Sequence, residues 1–160
     1  MQKQYRQADR LADFGLDHGL PETAGPMRAD RNPFSHIDIR VSDLDAALPF
    51  YEKLLPALGF TRAFHTPNWK VFAAPGELPE AAYFSITEAP GLPPSNNLVG
   101  FSAACREEVD RIAWLVQESG GRITGRPGRF TFSAGYYAVF FEDPCGNKYE
   151  IMHRLDQEKA

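Results

Sequence analysis

Two side chains far apart in the sequence, His36 and Glu150, are of types and in settings that could do chemistry. Glu150 stands in the middle of Lys148-Tyr149-Glu150-Ile151-Met152-His153, which reads as a half-buried strand. A carboxylate there is costly unless a partner compensates it. His36 opens the alternating stretch His36-Ile37-Asp38-Ile39-Arg40-Val41, with Ile37, Ile39 and Val41 on one face and His36, Asp38 and Arg40 on the other. By the same alternation Tyr149 and Ile151 suit a covered face, which leaves Glu150 and Met152 on the opposite one. His36 and Glu150 are therefore expected to share one cavity, as an imidazole and a carboxylate able to move a proton. Asp38 could orient His36 or act as a base beside Glu150. Arg40 could pair with Glu150 across the cavity, which would explain both charges without a cofactor, or hold a substrate.

The elements that must position these groups can be read in order. Ser42-Asp43 supplies a helix N-cap, and Leu44, Ala47, Leu48, Tyr51, Leu54, Leu55 and Leu58 form an apolar stripe at helical spacing. Pro49 is tolerated because the helix starts near Leu44, and Gly59 closes it. Strand-like pieces follow at 60–65, 70–74 and 82–87. After the Pro/Gly-rich linker 90–97 the order repeats: a strand at 98–103, a helix at 105–118 ended by Gly120-Gly121, and strands at 122–124, 136–141 and 148–153. A fixed offset of about 62 residues aligns His36 with Leu98 and Gly59 with Gly121, a duplication of one supersecondary unit. Between Thr124 and Gly135 lies a long glycine-rich connection of the kind that borders sites. Its Arg129 could meet an anionic substrate, and Tyr136 or Tyr137 beyond it could place a hydroxyl in the cavity.

At 160 residues, 43% hydrophobic and 24% charged, the chain is long enough for one domain with a proper core. Residues 1–33, with a weak helical pattern at Tyr5, Leu11 and Phe14, read as a loosely ordered or docked extension. The domain spans 34–154, and 155–160 is a tail. The net charge of -4 gives no footprint for nucleic acid or an anionic membrane. No apolar run is long enough to span a membrane. Cys105 and Cys145 form neither a CxxC pair nor a disulfide framework, so a cytoplasmic location is expected.

The opening Phe34-Ser35-His36-Ile37-Asp38-Ile39-Arg40-Val41-Ser42-Asp43-Leu44 with Phe50-Tyr51, and the ending Phe141-Glu142-Asp143-Pro144-Cys145-Gly146-Asn147-Lys148-Tyr149-Glu150-Ile151, resemble the first and last elements of a vicinal oxygen chelate domain. That superfamily includes glyoxalase I, extradiol dioxygenases and fosfomycin-resistance proteins. The resemblance implies an α+β fold of two βαβββ units, about 34–90 and 98–154, forming a curled mixed sheet around a central cup. It also implies a divalent metal (Zn, Fe, Mn or Ni, not distinguished) held by His36 and Glu150, and a homodimer. The metal would act as a Lewis acid on vicinal oxygens of a small-molecule substrate, with isomerase or lyase, dioxygenase and thiol-transfer chemistries all fitting. Two departures stand out. Leu98 occupies a usual histidine position, and the fourth ligand falls on Ser85 or Glu88 depending on the register. The alternative is a metal-free module of the same fold that binds or sequesters a small molecule through Arg40, aromatic side chains and tyrosine hydroxyls.

Overall fold

The computed structural model describes residues 34–76 and 81–154. The extension 1–33, residues 77–80 and the tail 155–160 lie outside the described residues. The elements are β1 (His36–Val41), α1 (Leu44–Ala57), β2 (Arg62–His65), β3 (Trp69–Ala73), β4 (Tyr83–Glu88), β5 (Leu98–Ser102), α2 (Arg106–Glu118), β6 (Arg122–Arg129), β7 (Tyr136–Glu142) and β8 (Lys148–Arg154). This is the expected pair of βαβββ units. Each forms its own four-stranded mixed sheet, in the orders β1-β4-β3-β2 and β5-β8-β7-β6, and the two do not close into a barrel. In both units the first strand runs parallel to the last, so each helix is a crossover that covers one face.

Local chemistry explains the helix ends. The Asp43 side chain accepts a hydrogen bond from the Ala46 N–H at the start of α1, and Gly59 takes the positive φ of 96° that ends it. Pro49 and Pro56 both fall inside this helix. At α2 the N-cap is Cys105, whose side chain makes no cap bond. The carboxylate of Glu108 instead accepts from the Ala104 N–H.

The apolar stripes of both helices share one core with the covered faces of the two sheets. Phe50 approaches Phe141 at 6.3 Å between ring centres, and Tyr51 lies between Phe84 and Tyr149. The first unit's helix therefore packs on strands of the second. Burying side chains such as Phe50, Leu54 and Ile112 completely contributes roughly 1.5–3 kcal/mol each. Gly121 sits where α2 turns into β6. A Cβ there would lie 2.6 Å from Phe50 and 2.7 Å from Val116, so only glycine fits.

One element differs from expectation. β6 does not stop at Thr124 but runs to Arg129, with register shifts between Ile123 and Gly125 and between Gly125 and Gly128. As an edge strand it tolerates the glycines and Pro127 that make it read as a loop.

Candidate functional site

Each sheet has one face covered by helices and one open. Register places Glu150 on the open face of the second sheet, on β8, between Gly100 of β5 and Phe140 of β7. Its exposure is 7%. Gly100 leaves the carboxylate room, since even a Cβ at that position would be 3.6 Å from Oε2. The Tyr136 hydroxyl donates to Glu150 Oε1. Tyr136 is directly opposite Arg154, not Glu150, so its ring must lie along β7 past the small Ala138 to reach the carboxylate. The Arg154 guanidinium sits 5.5 Å from the centre of that ring, and Phe132 meets its edge at 5.4 Å. Burial pushes the Tyr136 phenol up to about 12, reinforced by the hydrogen bond to Glu150 and its charge and opposed by Arg154. It therefore stays a protonated donor at neutral pH.

On the open face of the first sheet, Asp38 Oδ1 accepts from Ser85 (3.1 Å) and Thr87 (2.8 Å), and its Oδ2 accepts from Arg40 at 2.5 Å. This replaces the expected Arg40–Glu150 pair, because the carboxylate two residues away on the same face is the nearer partner. His36 stacks flat on Tyr83, with ring centres 4.6 Å apart, and its Nδ1 is 3.1 Å from the Ser35 hydroxyl. Asp38 is thus held by hydroxyls and Arg40 and makes no bond to His36. His36 and Glu150 lie on separate sheets.

Other candidates fall elsewhere. Tyr137 faces the helices, where it donates to Asp110 at 2.8 Å under the guanidinium of Arg106. Arg129 is exposed opposite Tyr137 at the end of edge strand β6. His65 lies against the buried Phe72, and His153 bonds the Ala103 carbonyl, both away from the open faces.

The register also settles the Ser85 or Glu88 question. Asp38 pairs with Ser85 as Gly100 pairs with Glu150, so Ser85 is the first unit's equivalent of Glu150. Glu88 points to the helix side, where its Oε1 accepts from the Leu44 N–H at 3.4 Å. The four equivalent positions are therefore His36, Ser85, Leu98 and Glu150. A hydroxyl and an aliphatic chain stand where a chelate needs strong donors, and a catalytic transition metal needs three protein ligands. Among the described residues no group of three or more His, Cys, Asp or Glu side chains could hold a metal ion. These residues do not fit a chelated divalent metal.

Sequence reasoning points to Glu150, Tyr136 and His36 but misses Arg154, Phe132 and Phe140. Parity from Glu150 along β8 would have picked Arg154, which shares its face. Reading 124–135 as a bare connection hides Phe130 and Phe132, which pack with Phe140 of β7.

Comparison with known proteins agrees with this architecture. A family model described as the Glyoxalase/Bleomycin resistance protein/Dioxygenase superfamily matches residues 34–151. A lactoylglutathione lyase of Arabidopsis thaliana is 28% identical over 132 residues, which is 79% of this chain and 46% of the plant protein. The chain thus spans about half the length of that relative. Among solved structures, a glyoxalase/bleomycin resistance protein from Albidiferax ferrireducens T118 is 27% identical with a TM-score of 0.64, over 77% of this chain and 100% of the other. A family enzyme from Burkholderia phytofirmans PsJN shares the fold at 15% identity and a TM-score of 0.59, over 76% of this chain and 98% of the other.

Proposed function

The chain belongs to the glyoxalase/bleomycin resistance protein/dioxygenase superfamily, and from that premise we propose that its open faces bind a small organic molecule by hydrogen bonding and aromatic contact, without a chelated divalent metal. The observation that carries this reading is Glu150: a carboxylate sunk in an open sheet face, bonded by a neutral tyrosine and walled by aromatic rings. Ser85 and Leu98 at the other two positions remove the donors a chelate would need. Glu150 as acceptor and Tyr136 as donor give the site a hydrogen-bonding pair that can also move a proton. Asp38 and Arg40 supply a second polar cluster. Free Cys105 and Cys145 suit the reducing interior of a cell, and no helix among the described residues is long and apolar enough to cross a membrane.

A fragment screen followed by amide chemical-shift mapping tests this reading. Hits are expected to shift Gly100, Ser102, Ala138 and Met152, and to lose affinity about tenfold in Glu150→Gln. Hits that gather instead in the crevice between α2 and β6, around Trp114 and Arg126, would refute it.

The open faces also carry large exposed apolar groups: Phe64 on the first sheet, Leu98 and Phe132 on the second. Leu98 is 51% exposed and Phe132 68% exposed. We propose that a second copy sets the first unit's face against the partner's second unit and completes the cup. Light scattering on the full chain should give twice the monomer mass, and Leu98→Asp should weaken the dimer about a hundredfold or more. A monomer at high micromolar concentration would contradict this.

A further inference from the structure

Beyond Glu150, the open face of the second sheet holds a cation. Arg154 is exposed on β8, four residues beyond Glu150 and on the same face, about 13 Å along the strand. Among the described residues it makes no ion pair. Its guanidinium is held over the Tyr136 ring at 5.5 Å, and it borders a cavity of about 360 Å³ lined with Ser102, Ala103 and Met152. The Tyr136 ring separates this cation from the Glu150 carboxylate, which its hydroxyl engages at the far end. The face therefore has a positive end, an apolar middle and an acceptor end. Phe132, at the edge of the Tyr136 ring, and Phe140, directly opposite Glu150, line one side of the middle, 6.3 Å apart and nearly perpendicular.

That polarity selects a class of ligand. A carboxylate fits the planar fork of Arg154 and is repelled at the Glu150 end, so a bound acid has one favoured direction. A flat unsaturated body suits the aromatic wall. A hydroxyl at the opposite end can donate to Glu150, whose Oε2 faces the gap left by Gly100. We infer that this face binds a small planar aromatic hydroxy acid, with its carboxylate on Arg154, its ring beside Phe132 and Phe140, and its hydroxyl on Glu150. The inference rests on the proposal that the open face is the ligand site, and adds Arg154 as the residue that sets specificity for acids.

Binding of three matched probes to the full chain tests it: 4-hydroxycinnamate, 4-hydroxycinnamamide and 4-methoxycinnamate, each followed by calorimetry and amide shifts. The hydroxy acid should bind about tenfold tighter than the amide, which keeps the hydroxyl but lacks the charge. It should bind about tenfold tighter than the methoxy acid, which keeps the charge but cannot donate. Arg154→Gln should erase the acid-over-amide ratio, while Arg126→Gln, in the crevice beside α2, leaves it intact. Equal affinities for acid and amide, with shifts still on the open face, would overturn the role of Arg154 and leave the ligand face standing. A ratio that survives in Arg154→Gln would do the same. Binding of none of the probes, or shifts confined to another surface, would overturn the inference together with the reading beneath it.

Discussion

Asp143→Ala is expected to lose about 3–5 kcal/mol of stability, most of what a domain of this size has to spare. Asp143 is 3% exposed and accepts four hydrogen bonds. Its Oδ2 takes the Tyr51 hydroxyl at 2.5 Å and the Asn147 amide at 2.9 Å, and its Oδ1 takes the N–H groups of Cys145 and Asn147. Asn147 in turn donates to the Arg40 carbonyl and accepts from the Ser95 N–H. One turn carboxylate therefore ties α1, β1, the inter-unit linker and the β7–β8 hairpin together. Alanine would strand buried donors on all sides, which costs far more than the net value of any one bond. Burial, then the nearby Tyr149 and Asp143, hold the Tyr51 phenol well above its usual range, so it remains a donor throughout the accessible pH range. Tyr51→Phe, which removes a single donor, should cost about 1–2 kcal/mol. Urea denaturation of both variants checks this, and a loss below about 0.5 kcal/mol for Asp143→Ala would show that the network is not a stabilising hub.

The second large effect is a gain. If the proposed dimer sets the open face that carries His36 and Ser85 against the partner's face that carries Leu98 and Glu150, then restoring donors at the two deficient places should create a metal site. Leu98→His adds a third ligand at an exposed position and should give saturable one-to-one binding of Zn²⁺ or Ni²⁺ that wild type lacks. Adding Ser85→Glu completes the set and should tighten that binding about tenfold further. Ser85 is 1% exposed and bonded to Asp38, so the metal-free double variant is expected to be less stable than wild type and to be rescued by the cation. Affinities unchanged by both substitutions would mean that the four positions do not converge.

Much of the fold was legible because its signals are local. The alternation from His36 to Val41, the Asp43 cap, the stop at Gly59 and the repeat after the linker each declare themselves within a few residues. Parity then placed His36 and Glu150 on open faces without any structure. Pairing was not legible. Whether Arg40 reaches Glu150 or Asp38 depends on side-chain geometry across a sheet, and the near carboxylate wins. Whether Ser85 or Glu88 matches Glu150 depends on the parallel register of β1 with β4, which no spacing in the sequence fixes. β6 was missed beyond Thr124 because glycine and proline read as turn signals, although an edge strand with bulges accommodates both. Asp143 looked like an ordinary turn residue; only the approach of α1, bringing Tyr51 from the other unit, makes it a hub.

The claim that the open face works without a chelated divalent cation is tested most directly by titrating the EDTA-treated full chain with Mn²⁺, Fe²⁺, Zn²⁺ and Ni²⁺ by calorimetry, with His36→Ala and Glu150→Gln in parallel. The account predicts no saturable one-to-one binding by wild type that either substitution removes, while the aromatic acids bind regardless of added metal. One cation per chain, bound by wild type and lost in both variants, would contradict it.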